Sequence, residues 1–442
     1  MDASRRRVLL VAGAALAAGC SESEEPTRDS TVTPVEVPRS PGGALSDAAD
    51  VPVPSVPASV LVSDDHRRQV VEHLEKLLER TEADLADADG ADPDDVPREL
   101  GGPGRVESAG ERIENLAASS DPERFRRVDR QFRSLGRVAG YARAKTGSLD
   151  VDGLREAFES ERSATRTLVD GVEYRVAPPV ARHLPTVEAA EQALGNAESR
   201  LRAAERAVET AAEADDDDRS VAVGTAWGRI EQARIARTNA AGFLGTATDP
   251  EAPSRRATID DAYRTVREET EIPDPPPGVE SADGERTERM RNVLSSVLSR
   301  ASEVHERPAD DVDESERVGE LLTAVQVRNE ARAFVGAAES TLRRLDGDSF
   351  PPGAVTEEKQ RAVDSVTRLA EAAPLQRELG GLAENIVEYG DRLAATSEET
   401  DALTGSHFVY VGARRFVEQS LADGERLSAA LSRDNRRAYT NL

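Results

Sequence analysis

Residues 186–213, TVEAAEQALGNAESRLRAAERAVETAAE, decide how this chain folds. Apolar residues recur in the stretch at alternating spacings of three and four, which is the period of one helix face. Along that face valine or leucine alternates with alanine, at Val187, Ala190, Leu194, Ala197, Leu201, Ala204, Val208 and Ala211. Such a heptad seam packs against another helix, and its alanines let that helix approach closely. The stretch therefore predicts a long helix inside a helical bundle.

The same apolar spacing continues on both sides of this stretch, from Ser63 towards the C-terminus. Ser63-Asp64-Asp65 predicts the first helix start, because a serine N-cap and early acids stabilise that end of a helix. No window alternates polar and apolar residues as a half-buried strand would. The predicted fold class is all-α, with long antiparallel helices in bundles or in an elongated array. Besides 186–213, the predicted helices are 64–86, 122–146, 152–176, 219–245, 256–271, 284–306, 313–345, 355–372, 377–396 and 400–432.

Short matches between helices suggest an internal repeat. Ala-Arg pairs occur at 142–143, 233–234, 331–332 and 413–414. At an offset of 98 residues, TAWGRIEQARIA from Thr225 aligns with TAVQVRNEARAF from Thr323. We interpret the pattern as about three antiparallel bundle units, although chance similarity in a chain rich in alanine, arginine and glutamate is the alternative. The predicted units are 61–216, 217–308 and 309–442.

The first 20 residues have the composition of an export signal. Three arginines precede the apolar run 8–18, which is too short to cross a bilayer of about 30 Å as a helix. Residues 4–9, SRRRVL, resemble a twin-arginine signal in which Arg5 and Arg6 form the pair. Residues 16–20, LAAGC, resemble a lipobox, which implies a lipid on Cys20. A plain signal peptide, or an uncleaved anchor with an incidental cysteine, is the alternative.

Residues 21–60 are rich in Pro, Ser, Thr and Glu, which predicts a disordered tether between this signal and the helices. Cys20 is the only cysteine in 442 residues. The chain therefore has neither an intramolecular disulfide nor a cysteine-based metal site.

The charge balance is strongly acidic, with 84 acidic and 57 basic residues and a net charge of −27. Lysine occurs only at Lys76, Lys145 and Lys359, and aromatic residues make up 3% of the chain. At molar salt the Debye length is only about 3 Å, so the repulsion between the acids is screened. Together with the signal, this composition resembles a lipoprotein exported by a halophilic archaeon. The resemblance implies attachment to the outer face of the cytoplasmic membrane, and the acidic surface disfavours nucleic-acid binding.

Candidate chemical motifs are weak throughout the chain. His66 and His73 share a helix face but are seven residues apart, whereas helical metal pairs need three or four. The acidic loop 87–95 departs from the calcium-binding pattern, and the turn 101–104 lacks the lysine of a phosphate loop. We predict no metal, cofactor or catalytic residue, and core packing for Trp227. The other histidines are His183, His305 and His407.

The sequence thus predicts a non-catalytic, lipid-anchored surface protein that binds an unknown protein partner or builds the cell envelope. The alternative is a solute-binding or enzymatic lipoprotein whose site lies between helices. The two alternatives predict different interiors. A polar pocket lined by convergent histidine, carboxylate or arginine favours a receptor or enzyme, and a packed alanine–leucine seam without a cavity favours a structural role.

Overall fold

The computed structural model describes residues 51–88, 96–100, 104–119, 121–216, 218–268, 272–279, 284–306, 316–345, 352–396 and 400–432. In these ranges the regular elements are helices, joined by one isolated β-bridge between Val176 and Thr248. The all-α prediction is confirmed. None of the described helices is long and apolar enough to cross a membrane. Arg5, Arg6, Cys20 and most of the acidic loop 87–95 lie outside the described residues.

The helices of the described chain follow one another with short connections, and a 3₁₀ turn lies at Arg98–Leu100. They are α1 (Asp64–Asp87), α2 (Gly104–Ala117), α3 (Pro122–Arg126), α4 (Val128–Gln131), α5 (Arg133–Lys145), α6 (Val151–Asp170), α7 (Val180–Glu213), α8 (Arg219–Ala247), α9 (Arg256–Glu268), α10 (Gly284–Glu306), α11 (Arg317–Leu342), α12 (Pro352–Ala370), α13 (Pro374–Leu379), α14 (Ala383–Thr396) and α15 (Thr400–Ser432).

Several helix boundaries differ from prediction for local reasons. The predicted helix 122–146 is three helices, α3 to α5, and the predicted helix 377–396 is divided by the turn at Gly380 and Gly381. Helix α7 starts six residues earlier than predicted, at Val180, and contains Pro185. A proline there removes only the hydrogen bond to Ala181, close to the start of the helix. Helix α2 was not predicted, because its apolar face is short and follows a glycine-rich turn.

Helices α5 to α8 form a first four-helix module. Helix α8 is central and contacts α5, α6 and α7, and α6 also contacts α7. Helices α5 and α8 run antiparallel, since Gly136 faces Glu231 whereas Gly140 faces Trp227. A Cβ atom at Gly140 would lie 2.4 Å from Trp227 Cβ, so only glycine permits this approach of the two backbones.

Helices α11, α12, α14 and α15 repeat this arrangement as a second module. Helix α15 takes the place of α8 and contacts the other three, and α12 contacts α14 as α6 contacts α7. Each module buries one glutamate between its second and fourth helices. Glu161 binds Arg234 in the first module, and Glu358 binds Arg414 in the second. Both arginines belong to Ala-Arg pairs that the sequence analysis noted.

The repeat therefore differs from the predicted one in alignment. The packing matches α8 with α15, whereas the predicted offset of 98 residues matches α8 with α11. The predicted boundary between 216 and 217 separates α7 from α8, which pack against each other in one hydrophobic core. Helix contacts alone do not test the division into three units, which stays a prediction.

The first half of α7 joins the two modules. A third apolar cluster collects Val187 of α7 with Ile259, Leu321 and Leu375, which belong to α9, α11 and α13. The Glu191 carboxylate of α7 accepts hydrogen bonds from the N–H groups of Val318 (3.0 Å) and Gly319 (2.7 Å), at the start of α11. Helix α7, whose heptad seam predicted the bundle, thus also forms the junction between the two modules.

Residues 51–60 do not belong to a free tether, which corrects the predicted range 21–60. Val51, Val53 and Val56 pack against the second core, and Val60, 4% exposed, lies in the first. The Leu61 N–H donates to Thr186 Oγ1 at 2.9 Å. Prolines keep this stretch extended, and its valines cover apolar surface of both modules. We call residues 51–62 the strap.

Candidate functional site

A small cleft opens between α11 and α15 in the second module. Its volume is about 260 Å³, and six of its seven lining residues are of polar types. At about 30 Å³ for each water molecule, the cleft has room for several waters or one small polar molecule. The lining residues are Asn329, Arg332, Glu418, Gln419, Ala422, Asp423 and Arg426.

Asn329 is the residue that makes this cleft a candidate binding site. Its side chain is 1% exposed, and neither its amide oxygen nor its amide nitrogen has a hydrogen-bond partner. The Oε1 atom of Gln419 is also buried without a partner. A buried polar group left unsatisfied costs about 1–3 kcal/mol. The unsatisfied Asn329 amide and Gln419 Oε1 beside an opening make the cleft a candidate site for a polar molecule.

The floor and mouth of the cleft carry charges of both signs. At the floor, Asp423 accepts from Arg328 Nη2 at 2.7 Å and from Arg426 Nη1 at 3.1 Å. At the mouth, Glu418 accepts from Arg414 Nη1 at 3.2 Å. Carboxylates, guanidiniums and amides together suit a small molecule with both donors and acceptors, such as a zwitterion.

The corresponding place in the first module is closed. Asn239 lies five residues after Arg234, as Gln419 lies five residues after Arg414. Unlike the amides of the cleft, Asn239 is satisfied: its Nδ2 donates to the Phe125 carbonyl at 2.8 Å, and its Oδ1 accepts from His66 Nε2 at 2.7 Å. The Asn239 amide is thus satisfied on both its atoms in one module, whereas the second module has an open cleft at the corresponding place.

His66 fills this place in the first module, although it belongs to α1, which packs against α5 and α8. Its ring lies 4.4 Å from that of Phe243 and so close to Gly242 that an added Cβ would lie 2.1 Å from His66 Cδ2. Burial lowers the pKa of His66 to about 4, so the ring is neutral near pH 7. His66 is therefore a packing residue.

Buried carboxylates at the junction hold the modules together. Glu188 of α7 and Glu378 of α13 both bind Arg126, at 3.1 and 3.5 Å. The Ser59 hydroxyl of the strap donates to Glu378. Burial raises the pKa of Glu188 well above its usual value, and the negative charge of Glu378 adds to this rise, while the Arg126 guanidinium opposes it. This cluster ties the strap to both modules and does not line the cleft.

The residues singled out from sequence are scattered over the fold. Trp227 is 8% exposed and lies in the first core, where the Arg143 guanidinium sits 4.5 Å from its ring centroid. His407 is fully buried, 3.2 Å from Thr341 Oγ1, and His73 lies 3.7 Å from Glu231. The described residues contain no group of three or more side chains that could hold a metal ion. Sequence reasoning missed Asn329 and Gln419, because an isolated amide on a helix belongs to no motif.

The fold and the cleft define a class: an all-α protein built from two similar four-helix modules, one of them with a polar cleft. Residues 65–251 match the profile of a domain of unknown function, DUF8262. The match runs from the start of α1 to just beyond α8, so it contains the first module and not the cleft. No curated protein and no solved structure matches the chain.

Proposed function

We propose that this chain is a non-catalytic protein held at the outer face of the cytoplasmic membrane by a lipid on Cys20, where it binds a protein partner or builds the envelope. The observation that carries the proposal is the position of Cys20, the only cysteine, at the end of a short apolar run behind Arg5 and Arg6. The acidic composition agrees with an exported protein at high salt.

The strap supports this mode of attachment. The strap, residues 51–62, contacts both modules. The Val56 N–H donates to Glu384 Oε2 at 3.2 Å, and the Leu61 N–H donates to Thr186. A pulling force on the lipid anchor would therefore act on the junction of the two modules. It would not unfold α1 from its N-terminal end.

Two variants test the anchor and the export route. Cys20→Ser should release the protein into the medium, and Arg5→Lys with Arg6→Lys should block export. Arg7→Lys is the matched control, because it leaves the arginine pair intact. Membrane retention of Cys20→Ser with unchanged electrophoretic mobility would contradict lipidation, and normal secretion of the double lysine variant would contradict twin-arginine export.

A second candidate function, solute binding, is favoured by the cleft. The unsatisfied amide of Asn329 beside a volume of about 260 Å³ is the specific observation. Native mass spectrometry of the purified protein should reveal a small bound molecule that Asn329→Leu loses and that the exposed control Asn115→Leu keeps. If the wild-type protein carries no added mass and Asn329→Leu is more stable, the amide is only a desolvated group and this candidate fails.

A further inference from the structure

A group of arginines on the first module stands out in a chain whose net charge is −27. Arg133 and Arg137 lie one turn apart on α5, Arg229 lies on α8, and Arg200 lies on α7. All four side chains are half-buried, so they remain within reach of solvent. Elsewhere on the surface arginines pair with nearby acids, as Arg162 does with Glu159 at 3.2 Å.

Hydrogen bonds place these arginines close together. Arg200 donates to Asp129 Oδ2 from two nitrogens, at 3.2 and 3.1 Å. Gln232 Nε2 donates to the Asp129 carbonyl, and Gln232 Oε1 accepts from Arg229 Nη1, both at 3.2 Å. Arg133 is the first residue of α5 and follows the short helix α4, which contains Asp129, after the single residue Phe132.

Arg137 completes the group from the next turn of α5. A Cβ atom at Gly228 would lie 2.4 Å from Arg137 Cγ, which places the stem of Arg137 directly beside the residue that precedes Arg229. Arg137 Nη1 donates to the Glu99 carbonyl at 3.2 Å, a contact that neutralises no charge. The charges of Arg137, Arg229 and Arg200 all act on Arg133, and the Asp129 carboxylate in this region is bound by Arg200.

Arg133 is the arginine of this group whose positive charge no described acidic side chain balances. Its side chain makes no hydrogen bond or ion pair with any residue in the described ranges, and its Nε is buried without an acceptor. Burial, and after it the positive charges of Arg137, Arg229 and Arg200, lower the pKa of Arg133 to about 10. The guanidinium remains charged at neutral pH, so its location is unfavourable unless an anion compensates it.

We propose that Arg133, Arg137 and Arg229 bind a phosphate- or sulfate-type oxyanion at the face where α5 and α8 meet. Guanidinium groups match the oxygens of such anions through paired, charge-assisted hydrogen bonds. Three guanidiniums without a carboxylate of their own favour a divalent oxyanion over chloride. The oxyanion belongs either to a free ion or to an anionic lipid headgroup, and the two sources share this chemistry. The site goes beyond the proposed anchoring function.

The first arm of the test uses inorganic phosphate and the purified full chain. Phosphate replaces chloride at constant ionic strength, and binding is followed by melting temperature and calorimetry. We expect saturable stabilisation of the wild-type protein. Arg133→Gln with Arg137→Gln should weaken the affinity at least ten-fold, which corresponds to about 1.4 kcal/mol. Arg162→Gln is the matched control and should bind phosphate as the wild type does.

The second arm distinguishes a headgroup from a free ion. Cys20→Ser protein, which has no lipid of its own, is floated with phosphatidylglycerol or phosphatidylcholine vesicles. Flotation with phosphatidylglycerol alone, lost in the double variant, supports the site with a lipid headgroup as its ligand. Phosphate binding without flotation supports the site with a free anion. If the wild-type chain neither responds to phosphate nor floats, or if the double variant behaves as the wild type does, the proposal is overturned.

A third measurement separates an anion site from a structural role. Without phosphate, Arg133→Gln removes an uncompensated charge from three like charges, so its melting temperature should equal or exceed that of the wild type. A melting temperature several degrees lower would mean that Arg133 supports the fold itself, and this result would also overturn the proposal.

Discussion

Glu161→Ala tests the buried ion pair that the two modules share. The Glu161 carboxylate is 2% exposed and accepts from Arg234 Nε at 3.2 Å and from Arg237 Nε at 2.6 Å. Removal of one partner from a fully buried pair costs about 3–5 kcal/mol. Water reaches part of the freed guanidiniums, because the two arginine side chains are 25% and 26% exposed. We therefore expect the free energy of unfolding to fall by about 2–3 kcal/mol.

The assay is urea denaturation at molar salt, followed by the circular dichroism of the helices. Glu358→Ala is the matched variant in the second module and should lose less, about 1–2 kcal/mol, because Arg361 is 45% exposed and solvates readily. Glu159→Ala removes only an exposed pair and should cost below about 0.5 kcal/mol. If Glu161→Ala costs no more than Glu159→Ala, the buried glutamate does not stabilise the module.

Three further predictions concern packing, pH and salt. Gly140→Ala should cost about 1–3 kcal/mol in urea denaturation, because its Cβ would overlap Trp227, whereas Gly245→Ala, which faces open space, should cost little. Burial raises the pKa of Glu191 from 4.5 to about 8, so the folded state holds a proton that the unfolded state releases, and stability should fall as the pH rises from 4.5 to 8. Glu191→Gln should flatten this slope, and an equal slope in the variant would contradict the assignment. Lowering the salt from molar to about 0.1 M should lower the melting temperature, because the acidic repulsion is no longer screened, and an unchanged melting temperature would contradict the halophilic interpretation.

Periodicity predicted the helices well where one face alone is buried. The Val/Leu–Ala seam of α7 is buried as expected, from Val187 to Ala211. The same reasoning underestimated the first half of α7, where Glu188 and Glu191 are also buried, because a second module covers the face that a single bundle would leave in water. Whether a charged helix face is buried depends on parts of the chain that are distant in sequence. The local spacing of apolar residues gives no information about them.

Neither the strap nor the cleft could be predicted from the sequence, because both depend on contacts between distant parts of the chain. Prolines at 52, 54 and 57 predict an extended chain equally well for a free tether and for one laid on a surface, and the valines between them gave the only signal of contact. Asn329 looks like any polar residue on an amphipathic helix. Its position in a cleft becomes evident only in the folded chain, where α15 brings Gln419 and Asp423 beside it.

A comparison of the two modules distinguishes the contacts that both modules share from those that only one of them has. Both keep the buried glutamate between their second and fourth helices, so that pair belongs to the shared scaffold. They differ in the place of Asn239, which His66 fills in the first module and which remains open in the second. A requirement of folding would act on both copies alike. A feature confined to one copy, such as the cleft, is therefore where a function specific to that module should be sought.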